Sequence, residues 1–481
     1  MGTDPTGLSA MRPRSRSRTP HIPLTLVSIL ALAPASGSRA QTVNPGLAAK
    51  AQTSTSGVGS KGETLAYGVD AGVAESDNVT LVSTDKVSQT MALAHTDFDY
   101  TRNSRRLDLD AKGDFTYLDY LQGAYGSRLV GRFDGAAHLG IIPERLVWVL
   151  QDDFGQAALD PFTPVTPTNL ENVNYVSTGP DLALHLGANS YVNMSARYAR
   201  AQYATSPFNS NRLLGNLAWG LQLSARSSVS LNGDTERVMF QNTVLNSDFD
   251  RNSGFGRYEV HGARTDFSGD LGATTIRQNG TSTSGGLAKV ELSRKLSAAA
   301  RLTVSVGRAL TDAATSFSNI QSGAIGVVGT APATQTSSNY TSNYVSAGWN
   351  YRRNRTTLSL SGRWEKDRYD AQPLLDYTRS GAEFRVERRL TRVLTADILG
   401  RYYKTDYAHS LAVSQNGSSN FDDEMVGAGL TWRHGRGLEV KLRCEHSARL
   451  APGAFGYGEN RVILTVGYRP GSDRPESDPG A

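Results

Sequence analysis

Leu213-Leu-Gly-Asn-Leu-Ala-Trp-Gly-Leu-Gln-Leu-Ser224 is the stretch whose reading decides the fold. Every second residue (Leu213, Gly215, Leu217, Trp219, Leu221, Leu223) is apolar or glycine, and Asn216, Gln222 and Ser224 fall between them. Successive side chains on a β-strand point to opposite faces, so this segment has one greasy side and one wet side. The same period returns in Leu358, Leu360, Gly362 and Trp364, which are interleaved with Thr357, Ser359, Ser361, Arg363 and Glu365. It returns again where Ala382, Phe384 and Val386 alternate with Glu383, Arg385 and Glu387, and in Leu438, Val440 and Leu442 against Glu439, Lys441 and Arg443.

A soluble sandwich alternates in the same way, so segment length and connection length have to decide. The alternating segments run to roughly 9–14 residues, the span of a tilted membrane strand, whereas soluble strands average about 5–6. Their connections alternate between short and long. Short turns fall at Arg102-Asn-Ser-Arg105, Pro143-Glu-Arg145, Gly187-Ala-Asn-Ser190, Arg226-Ser-Ser228 and His261-Gly-Ala-Arg264. They continue at Arg294-Lys-Leu-Ser297, Arg352-Arg-Asn-Arg355, Arg388-Arg-Leu-Thr391 and Arg433-His-Gly-Arg436. Long connections fall between them, at 77–86, 154–172, 203–211, 240–254, 312–342, 407–421 and 450–459. Short turns at one end and long loops at the other mark an outer-membrane barrel. The expected fold is all-β: a transmembrane, antiparallel, up-and-down barrel of about 16–20 strands over residues 63–469.

Composition and ends agree with this reading. Apolar residues make up 38% of the 481, below the roughly 45–50% of globular chains, as expected when only one face of each strand is greasy. Gly is abundant at 48. The net charge of +5 is a small excess of many cations over nearly as many acids, so no nucleic-acid partner is expected. Cys444 is the single cysteine, so no internal disulfide can form. Arg12, Arg14, Arg16 and Arg18 precede the apolar run Leu24–Ala33, and Ser38-Arg-Ala40 supplies small residues at a cleavage site. Residues 1–40 therefore read as a secretory signal peptide, 41–62 as a flexible periplasmic leader and 470–481 as a disordered C-terminal tail. The compartment that follows is the cell outer membrane.

No catalytic signature stands out. There is no His-Glu-x-x-His, no Gly-x-Ser-x-Gly, no phosphate loop and no paired-cysteine metal site. Asp152 and Asp153, at the apparent end of a strand, have no assignable partner histidine, and a lone barrel histidine such as His138 reads as a wall or turn residue. We expect no enzyme activity, cofactor or metal. Charged residues on the polar faces carry the stronger signal: Arg128, Arg132, Asp134, Arg197 and Arg301 in the first two-thirds of the chain. Arg363, Glu365, Glu383, Arg385, Asp397, Arg401, Glu439 and Lys441 follow. Two readings stand side by side: a channel wall that selects solutes by field and hydrogen bonding, or ion pairs that satisfy one another and stiffen the wall. The loop 312–342, rich in Ser, Thr, Gly and Ala, is the candidate plug or constriction, with a mobile surface loop as the alternative. Three prolines make 154–172 a shaped loop, whose Phe162 would stack on a sugar ring or pack on the rim.

Ser76-Asp-Asn-Val-Thr-Leu81, the series Gln151…Pro161…Asn169…Asn172, and Tyr191…Arg197-Tyr198 leading into Ser206-Pro-Phe-Asn209 together carry a family likeness. The chain resembles the outer-membrane β-barrels associated with exopolysaccharide and exosortase (PEP-CTERM) systems. The resemblance implies a porin-like conduit at a polysaccharide export locus and assigns no catalytic residue. Expected partners are outer-membrane lipid and lipopolysaccharide, the barrel assembly machinery and polysaccharide export components. The alternative is a structural or adhesive barrel with an occluded lumen, which presents its loops or anchors a polysaccharide machine.

Overall fold

The computed structural model describes residues 62–321, 336–409, 420–451 and 455–470. The signal-peptide segment, almost all of the leader, residues 322–335 of the candidate plug loop and residues 471–481 of the tail lie outside them.

The strands follow the alternating segments. The first ten are β1 (Gly62–Ser76), β2 (Gln89–Asn103), β3 (Leu107–Tyr120), β4 (Arg128–Ile142), β5 (Leu146–Ala158), β6 (Leu170–His185), β7 (Ser190–Tyr203), β8 (Ser210–Ser224), β9 (Ser227–Phe240) and β10 (Phe249–His261). The remainder are β11 (Thr265–Gln278), β12 (Thr281–Lys295), β13 (Ala300–Thr311), β14 (Tyr340–Arg353), β15 (Thr356–Tyr369), β16 (Tyr377–Arg389), β17 (Leu394–Tyr407), β18 (Phe421–His434), β19 (Leu438–Leu450) and β20 (Tyr457–Tyr468). One short helix, α1 (Ala313–Gln321), follows β13.

Each strand pairs antiparallel with the next. β20 then returns to β1, in register from Val69 opposite Tyr468 to Ser76 opposite Arg461. The sheet is a closed barrel of 20 strands with no free edge. Closure matters because an unpaired edge would leave backbone groups without partners. The strands are 12–16 residues long, longer than the alternation alone suggested. Their ends keep pairing after the apolar pattern has stopped, because backbone hydrogen bonds do not depend on side chains.

The alternation sorts the side chains. On β8, Leu213, Leu217, Trp219 and Leu223 are exposed on the outside while Arg212 is buried within. The same division runs around the barrel, with Leu65, Leu150, Leu231, Leu271, Leu360, Val426 and Leu464 among the exposed outer residues.

All nine connections at the end holding both sheet termini are short, two to four residues each, and overlap the turns read from the sequence. The opposite end has ten connections, not seven. The three additions are 121–127, 279–280 and 370–376. Asn279-Gly280 is a two-residue hairpin with both residues at positive φ, 51° and 76°, the turn whose twist matches its strands. Two of the expected loops shrink most. β5 runs on to Ala158 and β6 starts at Leu170, so 154–172 becomes 159–169, while 240–254 becomes 241–248.

One strand breaks a rule. Pro180 lies inside β6, where it cannot donate to the ladder. Pairing with β7 is interrupted there, resuming from Thr178 opposite Tyr198 to Asp181 opposite Ser195. Gly179 takes φ 155°, and a Cβ there would sit 2.0 Å from the Ala196 carbonyl oxygen. Arg197 fills the gap, donating to the Pro180 carbonyl at 2.8 Å and to Asp181 Oδ1 at 2.6 Å.

Candidate functional site

The wet face of the barrel encloses a lumen. All thirteen charged residues singled out from the sequence fall on it, because each is out of step with the exposed apolar residues of its own strand. Arg128, Arg132 and Asp134 lie on β4, Arg197 on β7, and Arg301 on β13. Arg363 and Glu365 lie on β15, Glu383 and Arg385 on β16, Asp397 and Arg401 on β17, and Glu439 and Lys441 on β19.

Many of them meet an opposite charge. Arg363 Nε donates to Glu365 Oε2 at 2.5 Å, and Lys441 Nζ lies 2.8 Å from Glu439. Asp397 is 3.5 Å from Arg443, and Glu383 faces Arg401 in register while accepting from the Tyr403 hydroxyl at 2.9 Å. Arg132 stands opposite Asp114, and Asp134 opposite Lys112. Arg301 and Arg385 make no ion pair among the described residues. The wall is thus a mixed-charge network with some cations left facing the lumen.

Asp152 and Asp153 do not end a strand; β5 continues five residues beyond Asp153 to Ala158. They point to opposite faces. Asp153 is fully buried on the lumen side, where it accepts from Gln151 Nε2 at 3.0 Å.

Two loops fold inward at the loop end. The first follows β13. Asp312 heads α1, its carbonyl accepting the first helical hydrogen bond from Ser316 N at 3.0 Å. The helix lies against the lumen face of β5 to β8. Ala314 and Phe317 pack there with Ala157, Val173, Tyr175, Ala199, Ala201 and Tyr203. An ionic quartet fastens it. Arg212 on β8 bridges Asp312 at 2.6 Å and Glu236 on β9 at 3.0 Å; Arg251 on β10 reaches Asp312 at 3.1 Å and also pairs with Glu236. Thr315 Oγ1 donates to Asp312 at 2.6 Å, and the Tyr340 hydroxyl on β14 bonds Ser316 Oγ at 2.5 Å. Burial alone would raise the Asp312 pKa. The two guanidinium charges outweigh it and hold the carboxyl well below the usual range.

The second inward loop is 159–169, hereafter the strap. Asn169 organises it from within. Its Nδ2 donates to the Asp160 carbonyl at 2.9 Å, Thr163 Oγ1 at 2.9 Å and the Pro164 carbonyl at 3.1 Å, while its Oδ1 accepts from Asp160 N at 2.8 Å. The strap crosses the mouth to the far wall. The Phe162 ring sits 4.6 Å from that of Tyr407 on β17, and Arg449 on β19 donates to the Phe162 carbonyl at 3.4 Å. Arg128 donates to the Pro167 carbonyl on the near side. Phe162 therefore packs against an aromatic of the opposite wall.

Some further residues of the family likeness clip the rim. Ser76 Oγ donates to Glu459 at 2.5 Å, and Asn78 Nδ2 donates to the carbonyls of Val82 and Gly458 at 2.7 and 3.1 Å, tying the first loop across the β1–β20 seam. Glu171 accepts from the backbone of Thr205 and Ser206, each at 2.8 Å.

The quartet was not singled out from the sequence. Its members are far apart in the chain, and only the registers of β8, β9 and β10 bring three of them together. A local signal did exist for α1. Asp312-Ala-Ala-Thr is a helix start, and Ala313, Ala314 and Phe317 recur at helical spacing.

The fold and its two faces define the class: a closed up-and-down barrel, apolar outside and ionic inside. No family model matches the chain, and no curated protein matches it. Among solved structures it is similar to the FrpB iron transporter from Neisseria meningitidis (F3-3 variant), at 10% identity over 84% of this chain and 81% of that one, with a TM-score of 0.42. It is similar to the siderophore receptor PirA from Pseudomonas aeruginosa at 10% identity, over 85% and 81% of the two chains, TM-score 0.41. It is also similar to OccK2 from Pseudomonas aeruginosa at 12% identity, over 84% and 98%, TM-score 0.34. No cargo carries over from any of them to this chain.

Proposed function

We propose that the chain is an outer-membrane conduit for polar solutes, narrowed at its outer mouth by the strap and α1. The observation that carries this is the pairing of an apolar exterior with an ionic interior in one closed sheet. An exterior of this kind is stable in hydrocarbon, where only closed barrels and helices satisfy their backbone. A charged interior needs water or polar cargo to solvate it. A barrel of 20 strands is also wide enough for an aqueous lumen. The short turns face the periplasm in this reading and the long loops face outward.

The finer proposal is passage of an exopolysaccharide in concert with export components. It rests on the family likeness, and the mixed-charge wall, in which Arg301 and Arg385 make no ion pair among the described residues, suits a hydroxyl-rich or acidic polymer. The inward loops favour a second reading, a structural barrel whose lumen is shut at the mouth.

Single-channel recording in a planar bilayer separates the two. A conduit gives steady conductance that rises when strap residues 161–168 are replaced by a short Gly-Ser link. A folded barrel that stays silent before and after that change would overturn the conduit and leave the structural reading.

A further inference from the structure

The net charge of +5 hides a strong separation along the barrel axis. Seven of the nine short turns carry arginine, eight in all, and their only acid is Glu144. The ten connections at the other end carry seven aspartates and one cation, Lys86.

The turn-end cations also reach the outside wall. Arg102, Arg294, Arg353 and Arg388 occupy the last outward-facing positions of β2, β12, β14 and β16. Each lies two residues beyond an outward apolar or aromatic residue: Tyr100, Leu292, Tyr351 and Val386 respectively. None has an ion-pair partner among the described residues, and the last three are exposed. Just above this level the outer wall carries large aromatics, including exposed Trp148, Trp432 and Tyr468, and Trp349 stacked on Tyr351 at 5.7 Å.

Aromatic rings of this kind settle at the boundary between hydrocarbon and headgroups. The arginines one step beyond them therefore stand at the depth of lipid phosphates, on the side that faces lipid. A guanidinium matches a phosphate with two parallel hydrogen bonds. We infer that the turn end of the barrel is a binding surface for anionic phospholipid headgroups of the adjoining leaflet, with Arg294, Arg353 and Arg388 as its outward contacts. The inference rests on the membrane reading above.

The test is native mass spectrometry of the full chain, released from detergent after incubation with equal amounts of phosphatidylglycerol and phosphatidylcholine. The wild type should retain phosphatidylglycerol in clear excess. Replacing Arg294, Arg353 and Arg388 by Gln should lower that excess by about fivefold per arginine, the strength of headgroup attraction per charge; replacement by Lys should keep most of it. These sites make no ion pair among the described residues, and heat-modifiable gel migration shows whether the barrel has formed. Equal retention of the two lipids, or an unchanged preference in the Gln variant, overturns the inference while leaving the barrel in its membrane. Binding of a soluble polyanion such as polygalacturonate, with no lipid preference, also overturns it and assigns the ring to a periplasmic polymer. Failure to insert into vesicles of either lipid overturns both this inference and the membrane reading.

Discussion

Asp312→Asn removes one charge from a quartet in which two cations and two anions balance. Arg212 and Asp312 are nearly inaccessible, with side chains 1% and 5% exposed, so solvent screening does little to soften the change. Taking one partner from a buried pair costs about 3–5 kcal/mol, mostly because the remaining charge is left uncompensated. Asparagine keeps a weaker hydrogen bond, so the lower figure applies. Burial of Phe317 contributes about 2 kcal/mol more to docking and is untouched. At about 1.4 kcal/mol per factor of ten, the undocked population of α1 rises roughly a hundredfold. Hydrogen exchange read by mass spectrometry should accelerate by about that factor at amides 316–318, with β-strand amides unchanged. Asp85→Asn, at an exposed loop position, is the control. Unchanged exchange over α1 in a folded Asp312→Asn barrel would refute the idea that the quartet fastens the helix.

The same carboxylate sets a pH dependence. Its pKa is lowered in the docked state, so its contribution is complete above the ordinary aspartate value of about 3.9 and is lost as pH falls through the lowered one. Exchange protection of α1 should stay flat from neutral pH down to about 4 and decline only below it; a decline starting near pH 6 would point to another group. Asn169→Ala removes the hydrogen bonds that the Asn169 side chain makes within the strap, each worth about 1 kcal/mol. The expected result is faster proteolysis within 159–169 and larger conductance fluctuations, with the barrel's thermal midpoint unchanged. Gly179→Ala places a methyl against the Ala196 carbonyl where no side chain can give way. Refolding yield by gel shift should fall sharply, whereas Gly233→Ala, with open space around its Cα, should fold normally.

Period-two alternation, joined to long segments and to short turns set against long loops, determined the barrel from the sequence. A strand's side-chain direction is a local property, so Leu213 to Leu223 announce an outer face whatever their neighbours do. The same locality placed the nine turns, and it put Arg128 through Lys441 on the inner face. The extra connection at Asn279-Gly280 escaped because a two-residue hairpin interrupts the alternation too briefly to read as a loop. Arg363 with Glu365 and Lys441 with Glu439 pair two residues apart on one strand, but the long-range pairs could not be read locally. Arg212, Glu236, Arg251 and Asp312 span 100 residues, and they meet through strand register and one helix that turns inward. The strap is alike in this respect. Its prolines announced a shaped loop, but its contact with Tyr407 and Arg449 crosses 246 and 287 residues of chain. Side-chain direction is fixed by the neighbouring peptide bonds, whereas the partner across a lumen is fixed only when the sheet closes.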